Sequence, residues 1–258
     1  MPARFRRARV LIVGCGDVGL RVAQVLSGRV RLLALTSSVE RTDALRARGI
    51  TPLRGNLDAP ASLRRLAGLA TRVLHLAPPP NEGWGDPRTL ALTRALRLRS
   101  LPDSLVYGST SGVYGDCQGD IAIETRAPSA DTPRARRRID AENSIRFFGR
   151  ATRVRSSILR IPGIYAPDRV GGTPRERLLK GTPVLQTADD VYTNHIHADD
   201  LARACLHRAR CLERSRPGIR QLVKSGLIRL RSVRDWRGSR GKGPWRRVLP
   251  LRTTHPRP

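Results

Sequence analysis

Val10-Leu11-Ile12-Val13-Gly14-Cys15-Gly16-Asp17-Val18-Gly19 is the stretch whose reading decides the fold. A short apolar run feeds a Gly-x-Gly-x-x-Gly loop, and the loop opens a helical pattern that runs from Leu20 to Leu26. Each glycine has a separate physical task. Gly14 permits the tight turn from strand to helix, Gly16 lets backbone approach a pyrophosphate, and Gly19 lets the helix lie close on the strand. The amides at the start of a helix favour an anion there. Gly14, Cys15, Gly16, Asp17, Val18 and Gly19 are therefore the expected phosphate-facing segment of a dinucleotide site.

Beyond this loop, strand and helix signals alternate. Strands are expected at 10–13, 30–35, 51–53, 72–76, 105–109 and 153–160. Helices are expected at 17–26, 39–48, 60–69, 87–98, 132–148 and 199–209. Ser38 is a candidate N-cap and Gly49 a stop for the second helix, while Asp86 caps the fourth with Pro87 in its first turn. Alternation of this kind predicts an α/β fold: a doubly wound parallel sheet with helices on both faces, Rossmann-like in organisation. The pattern fills residues 1–210 as one domain, and 211–258 reads as an Arg-rich tail, poorly ordered, with only short apolar islands. The abrupt change of character suggests sequence read out of frame. Re-reading the gene past codon 210 tests this, and a genuine basic tail for an acidic partner is the alternative.

The chain of 258 residues carries 49 Lys+Arg against 21 Asp+Glu, a formal net charge of +28. The tail holds 14 basic residues and 2 acids of these totals, so the excess is unevenly spread. Aromatic residues are few and do not interleave with the basic clusters as base-stacking platforms would. No specific nucleic-acid partner is expected, although the charge alone favours loose polyanion binding at low salt. Cys15, Cys117, Cys205 and Cys211 form no CxxC pair and no zinc spacing, which fits reduced thiols in the cytoplasm. Cys15 reads as a small loop filler, with oxidation sensitivity at a helix N-terminus as the alternative. No apolar run approaches membrane-spanning length, and the one after Arg4-Phe5-Arg6-Arg7 is too short for a signal peptide.

Six motifs in order carry a resemblance over residues 8 to about 210. They are the glycine loop, Gly55-Asn56-Leu57-Asp58, His75-Leu76-Ala77-Pro78, the run Leu105 to Asp116, the run Leu159 to Pro167, and the run Asn194 to Ala202. Together they resemble the NAD-dependent epimerase/dehydratase family, in the extended or atypical branch of the short-chain dehydrogenase/reductase superfamily. The resemblance implies a nicotinamide coenzyme, a small-molecule substrate and no membrane. It leaves the oligomeric state open, a dimer included.

Strand 2 ends in Thr36-Ser37-Ser38 without the acidic ribose clamp, and Arg41 follows. Hydroxyls and a guanidinium suit a 2′-phosphate, so NADP is favoured over NAD; the same residues also read as a turn into a helix cap. The resemblance puts Asn56 and Leu57 at the adenine, where an amide oxygen still accepts a hydrogen bond, and Ala77 and Pro78 along the nucleotide cleft. His75 reads as a packed core histidine. By the same resemblance the reacting oxygen meets Thr110, flanked by Ser109 and Ser111. The family's Tyr-x-x-x-Lys pair falls on Arg134 and Arg138, counted from Glu142 as the following acid. Arg134 stays protonated and donates a proton poorly; Arg138 keeps the means to bind ribose or phosphate. A solvated basic helix face is the competing reading of this cluster. Tyr114, Pro162 and Tyr165 are expected on the substrate side, with either tyrosine a substitute acid. His195 and His197 share one strand face, but no third ligand accompanies them, so no metal is expected.

These features lead to an NAD(P)-binding oxidoreductase or epimerase acting on a small molecule. A dinucleotide-binding or redox-sensing protein without turnover is the alternative, and nucleic-acid binding through the Arg excess is the third reading.

Overall fold

The computed structural model describes residues 8–169, 179, 181, 194–211 and 218–221. In chain order these form β1 (Arg9–Val13), α1 (Asp17–Leu26), β2 (Arg31–Thr36), α2 (Arg41–Arg46), β3 (Ile50–Arg54), a 3₁₀ segment (Pro60–Leu66), β4 (Arg72–His75), α3 (Pro87–Leu96), β5 (Ser104–Thr110) and a 3₁₀ turn (Ser111–Tyr114). There follow α4 (Pro133–Thr152), β6 (Arg155–Ile161), β7 (Gly163–Tyr165), β8 (His195–His197), α5 (Ala198–Cys211) and β9 (Gly218–Gln221).

Seven strands form one parallel sheet in the order β3-β2-β1-β4-β5-β6-β9, and β7 and β8 form a small parallel pair beside it. The chain winds one way from β1 to β3 and the other way from β4 onward, so the strand order reverses between β1 and β4. Register aligns Leu53, Leu35, Val13, His75, Tyr107 and Ile158 in one row across the sheet. The residues that follow this row form the carboxyl edge, and the crevice outside a reversal point is where doubly wound sheets take ligands.

The central strands are apolar on both sides because helices cover both faces. Val10 and Ile12 of β1 pack with Val22 and Leu26 of α1 and with Leu201 and Leu206 of α5. Leu11 and Val13 turn to the other layer, against Leu63 and Leu66 of the 3₁₀ segment, Leu92 and Leu96 of α3, and Ile145 and Phe148 of α4.

Asp86 caps α3 as expected, accepting the Thr89 amide at 3.0 Å. Gly49 closes the α2 region at φ +70°. The expected cap at Ser38 is not formed. The Ser38 hydroxyl donates to the Glu40 carboxylate, and α2 begins only at Arg41 with Glu40 ahead of it. Residues 60–66 wind as a 3₁₀ segment rather than a longer α-helix. The short strands β7 and β8 lie below the length at which alternation shows in a sequence. The sheet also takes a strand from 218–221, past the point at which the sequence pattern thins; residues 222–258 lie outside the described residues, and with them most of the expected tail. Among the described residues no helix is long and apolar enough to cross a membrane.

Gly14 is the tightest point of the framework. Its φ is +85°, and a Cβ there would sit 2.3 Å from the Ala77 amide nitrogen. Left-handed strain and a backbone clash each cost about 1–3 kcal/mol. Gly14→Ala is expected to lower unfolding free energy by on the order of 3 kcal/mol, measured by denaturant titration; a loss under about 1 kcal/mol contradicts this packing.

Candidate functional site

The three glycines behave in space as their spacing demands. Gly14 makes the turn, and the Gly16 amide donates to the Gly14 carbonyl at 2.9 Å. A Cβ on Gly19 would meet Ile12 Cγ2 at 3.1 Å, so the start of α1 lies close on β1. A Cβ on Gly16 would meet nothing within 4 Å. Its φ of −84° suits any residue, so glycine is not needed there for conformation. What glycine leaves at this position is open space before the first amides of α1, the room a diphosphate requires.

The neighbouring candidates divide into those that face this edge and those that do not. Cys15 is buried in the core; burial raises its thiol pKa, against the lowering pull of the Arg41 and Arg48 charges. It is a packed filler, not a reactive thiol. Val18 packs partly buried against the core. Asp17 pairs with Arg21 at 3.0 Å, and Arg21 also reaches Asp199 at 2.6 Å and Asp168 at 2.7 Å. The Arg41 guanidinium donates to the Cys15 carbonyl, across the glycine loop. Thr36 is buried and closes a local turn, its hydroxyl paired with both the amide and the carbonyl of Ser38; of the hydroxyls after β2, Ser37 is the exposed one. Asn56 Oδ1 accepts the Asp58 amide at 3.0 Å, which leaves the oxygen a second lone pair. Leu57 packs on the core, Ala77 is buried under the glycine loop, and Pro78 is exposed beside it.

At the end of β5 the three hydroxyl residues separate. Ser109 is buried and donates to Glu142 Oε1 at 2.7 Å, so it belongs to the core and does not face the crevice. Thr110 and Ser111 are half-buried at the edge, and the Thr110 hydroxyl caps the following 3₁₀ turn by accepting the Gly112 amide. Tyr114 is buried, with the Arg160 guanidinium 4.6 Å above its ring. It therefore supports the floor rather than reaching a ligand. Pro162 is also buried, while Tyr165 is half-buried. The Tyr165 ring stands edge-on to His195 at 6.5 Å and to His197 at 5.3 Å. The two histidines share a face as the strand period predicts. His197 Nδ1 accepts the Asp199 amide, so this ring caps α5.

The arginine run of α4 is not a uniformly solvated face. Arg138 is buried, and its Nη1 donates to the Gly108 carbonyl at 2.8 Å, the Tyr107 hydroxyl at 2.9 Å and the Ala77 carbonyl at 3.3 Å. It ties the ends of β4 and β5 together beside the reversal point. Arg137 donates to the Gly83 carbonyl at 2.7 Å, and Arg136 stacks 5.0 Å over the Trp84 ring. Asp140 accepts the Asp86 amide at 2.7 Å. The loop between β4 and α3 is thus stapled to α4 four times, at Ala77, Gly83, Trp84 and Asp86. Arg134 is exposed, one turn before Arg138 on the same helical face.

Beneath the edge lies an ionic cluster that sequence reasoning did not assemble. Glu142 is 0 % and Arg160 1 % exposed, joined at 2.8 and 3.1 Å. Burial raises the Glu142 pKa, but hydrogen bonds from Arg160 and Ser109 outweigh it and hold the carboxyl below its ordinary value. Arg160 is legible only as one residue of a motif, and its partner lies 18 positions away, beyond any local pattern.

His75 is a core residue, as its strand position suggested. Its Nε2 is 2.9 Å from the Thr89 hydroxyl, which donates to Asp86. Burial, helped by the Arg138 charge, lowers its pKa to about 3 from 6.5. The unfolded chain takes up a proton below pH 6.5 that the native ring refuses, so stability falls as pH falls toward 3. The slope is about 1.4 kcal/mol per pH unit. Between about pH 6.5 and pH 5 this amounts to roughly 2 kcal/mol, and a His75→Gln variant should lose that slope in urea titrations at the two pH values. An unchanged slope refutes the buried neutral ring.

A family model for the NAD dependent epimerase/dehydratase family matches residues 10–219. The chain belongs to that family. Among solved structures, a functionally unknown conserved protein from Silicibacter pomeroyi is 23% identical with a TM-score of 0.66, covering 86% of this chain and 74% of that one. UDP-glucose 4-epimerase of Thermus thermophilus, in complex with NAD, is 22% identical at a TM-score of 0.67, covering 83% and 77%. The UDP-Glc/GlcNAc 4-epimerase of Campylobacter jejuni is 17% identical at 0.68, covering 84% and 78%. At these identities the likeness is one of fold. Comparison with curated proteins gives no match.

Proposed function

We propose that this member of the NAD-dependent epimerase/dehydratase family binds a nicotinamide dinucleotide along the carboxyl edge of its sheet and acts on a small molecule as an oxidoreductase or epimerase. The carrying observation is the open ground at Gly16, set between the Gly14–Ala77 contact and the start of α1. Family membership and the dinucleotide-bound epimerase of the same fold support it. NADP is preferred over NAD, because β2 ends without a carboxylate to receive a 2′-hydroxyl and to repel a phosphate.

The nicotinamide, when bound, supplies the hydride chemistry. The chain's own part is to place the reacting oxygen and to shape the floor. Thr110, at the tip of β5, has the hydroxyl to hydrogen-bond that oxygen, with Ser111 beside it. Arg138 fixes the Ala77 and Gly108 carbonyls, so the ends of β4 and β5 keep a constant spacing under the coenzyme. Arg134 occupies the position of the family's tyrosine and stays charged, so it attracts an anionic group but does not deliver a proton. Tyr107 does not replace it: burial drives its pKa up to about 12, and the ring is fully covered. Loss of a positioned general acid typically costs about 10²–10⁴-fold in rate, so turnover is expected to be slow. The second reading, a dinucleotide-binding protein without turnover, draws on this same arginine at 134.

The test is loss of reduced-nicotinamide absorbance over a panel of aldehydes and ketones, together with chromatographic separation of epimers after incubating nucleotide sugars with the oxidised coenzyme, since epimerisation returns the coenzyme unchanged. Turnover with at least one class, lowered roughly 10²-fold by Thr110→Val with KM little changed, is the expected result. Coenzyme binding without turnover on any class rejects the catalytic reading in favour of the second.

A further inference from the structure

The carboxyl ends of β2 and β3 border an open cleft of about 640 Å³ lined by Ser37, Arg54, Gly55, Asn56, Ser62 and Arg65, together with Ala61. It lies in the half of the sheet on the β1–β3 side of the reversal point, where the adenosine end of a dinucleotide belongs. Its lining holds two guanidinium groups and no carboxylate. Arg54 is the last residue of β3, in register with Thr36, so it stands beside the exit of β2. Arg65 comes from the 3₁₀ segment, and its Nη1 donates to the Arg54 carbonyl at 3.1 Å, which fixes that side chain at the cleft wall. The Ser62 hydroxyl receives the Asn56 amide at 2.9 Å and so holds the loop between them.

The acids closest in sequence are committed elsewhere. Asp58 is gripped by Arg88 through both carboxylate oxygens at 2.6 Å, and Glu40 receives the Ser38 hydroxyl. Arg41, the guanidinium that sequence reasoning assigned to this role, is drawn to the Cys15 carbonyl instead. Two cations left without a carboxylate among the lining residues, with an exposed hydroxyl at Ser37, make a site with the chemistry of a phosphate monoester.

We propose that Arg54 and Arg65, with Ser37, bind the 2′-phosphate of the coenzyme in this cleft and are the residues that select NADP over NAD. This rests on the dinucleotide reading above and assigns its phosphate to a particular pair of side chains. Arg54 and Arg65 are contributed by β3 and the segment after it, not by the turn that follows β2.

Calorimetric titration of the full chain with NADPH, NADH, 2′,5′-ADP and 5′-AMP tests it on the parent, Arg54→Gln, Arg65→Gln and Arg46→Gln. Arg46 forms an exposed pair with Asp43, so its variant removes the same charge away from the cleft. The expected result is about tenfold weaker binding of NADPH and of 2′,5′-ADP by each cleft variant, with NADH and 5′-AMP within twofold of the parent and Arg46→Gln unchanged. Equal losses for phosphorylated and unphosphorylated ligands, losses matched by Arg46→Gln, or no loss at all overturn the assignment while leaving dinucleotide binding intact. A parent that binds neither coenzyme overturns the dinucleotide reading itself, and this assignment with it.

Discussion

The close approach of the Gly14 backbone to the backbone of Ala77 is the contact on which the rest of the site depends. It brings the turn after β1 directly against the residue after β4, at the place where the sheet reverses direction. No side chain fits in that gap. Once the two turns meet, α1 must start over the edge of the sheet with its first amides facing open space at Gly16. The crevice is therefore a consequence of topology and one glycine, and the side chains around it adjust its chemistry.

Arginine does much of that adjusting. A net charge of +28 suggests a molecule built to bind polyanions, but many of its guanidinium groups hold the framework. Arg138 gathers two strand-end carbonyls, Arg137 holds the Gly83 carbonyl, and Arg21 joins Asp17, one turn earlier on its own helix, to Asp168 and Asp199 from distant parts of the chain. Arg160 and Glu142 neutralise each other in the core. Replacing one partner of such a pair strands the other charge, which is costly, whereas the intact pair contributes little net stability. Its use here is to fix Ser109 and Tyr114 under the edge. Arg134 and Arg54, both exposed, are among the described arginines that hold no such framework bond.

Most of the architecture was legible because both local period and punctuation agreed. The β1–Gly14–α1 unit, the Asp86 cap with Pro87, and the Gly49 stop depend on neighbours within a few residues, and each formed where the sequence places it. What was not legible depends on distance. The separation of Ser109 from Thr110 follows from strand alternation and from a carboxylate 33 residues away. The bond from Arg41 to the Cys15 carbonyl spans 26 positions, and Arg54 and Arg65 come together only where β3 and the 3₁₀ segment meet. Tyr114 likewise reads as a cleft residue within its motif, and packing puts it beneath the Arg160 guanidinium.

The most direct measurement is calorimetric titration of the parent and a Gly16→Glu variant with the two reduced nicotinamide coenzymes. Glutamate at 16 meets no protein atom at its Cβ, so the variant should fold with unchanged circular dichroism and melting temperature while placing a carboxylate where the diphosphate would sit. Saturable heat with the parent and none with the folded variant is the predicted result. Identical titration curves for the two proteins, or no heat with the parent, contradict it.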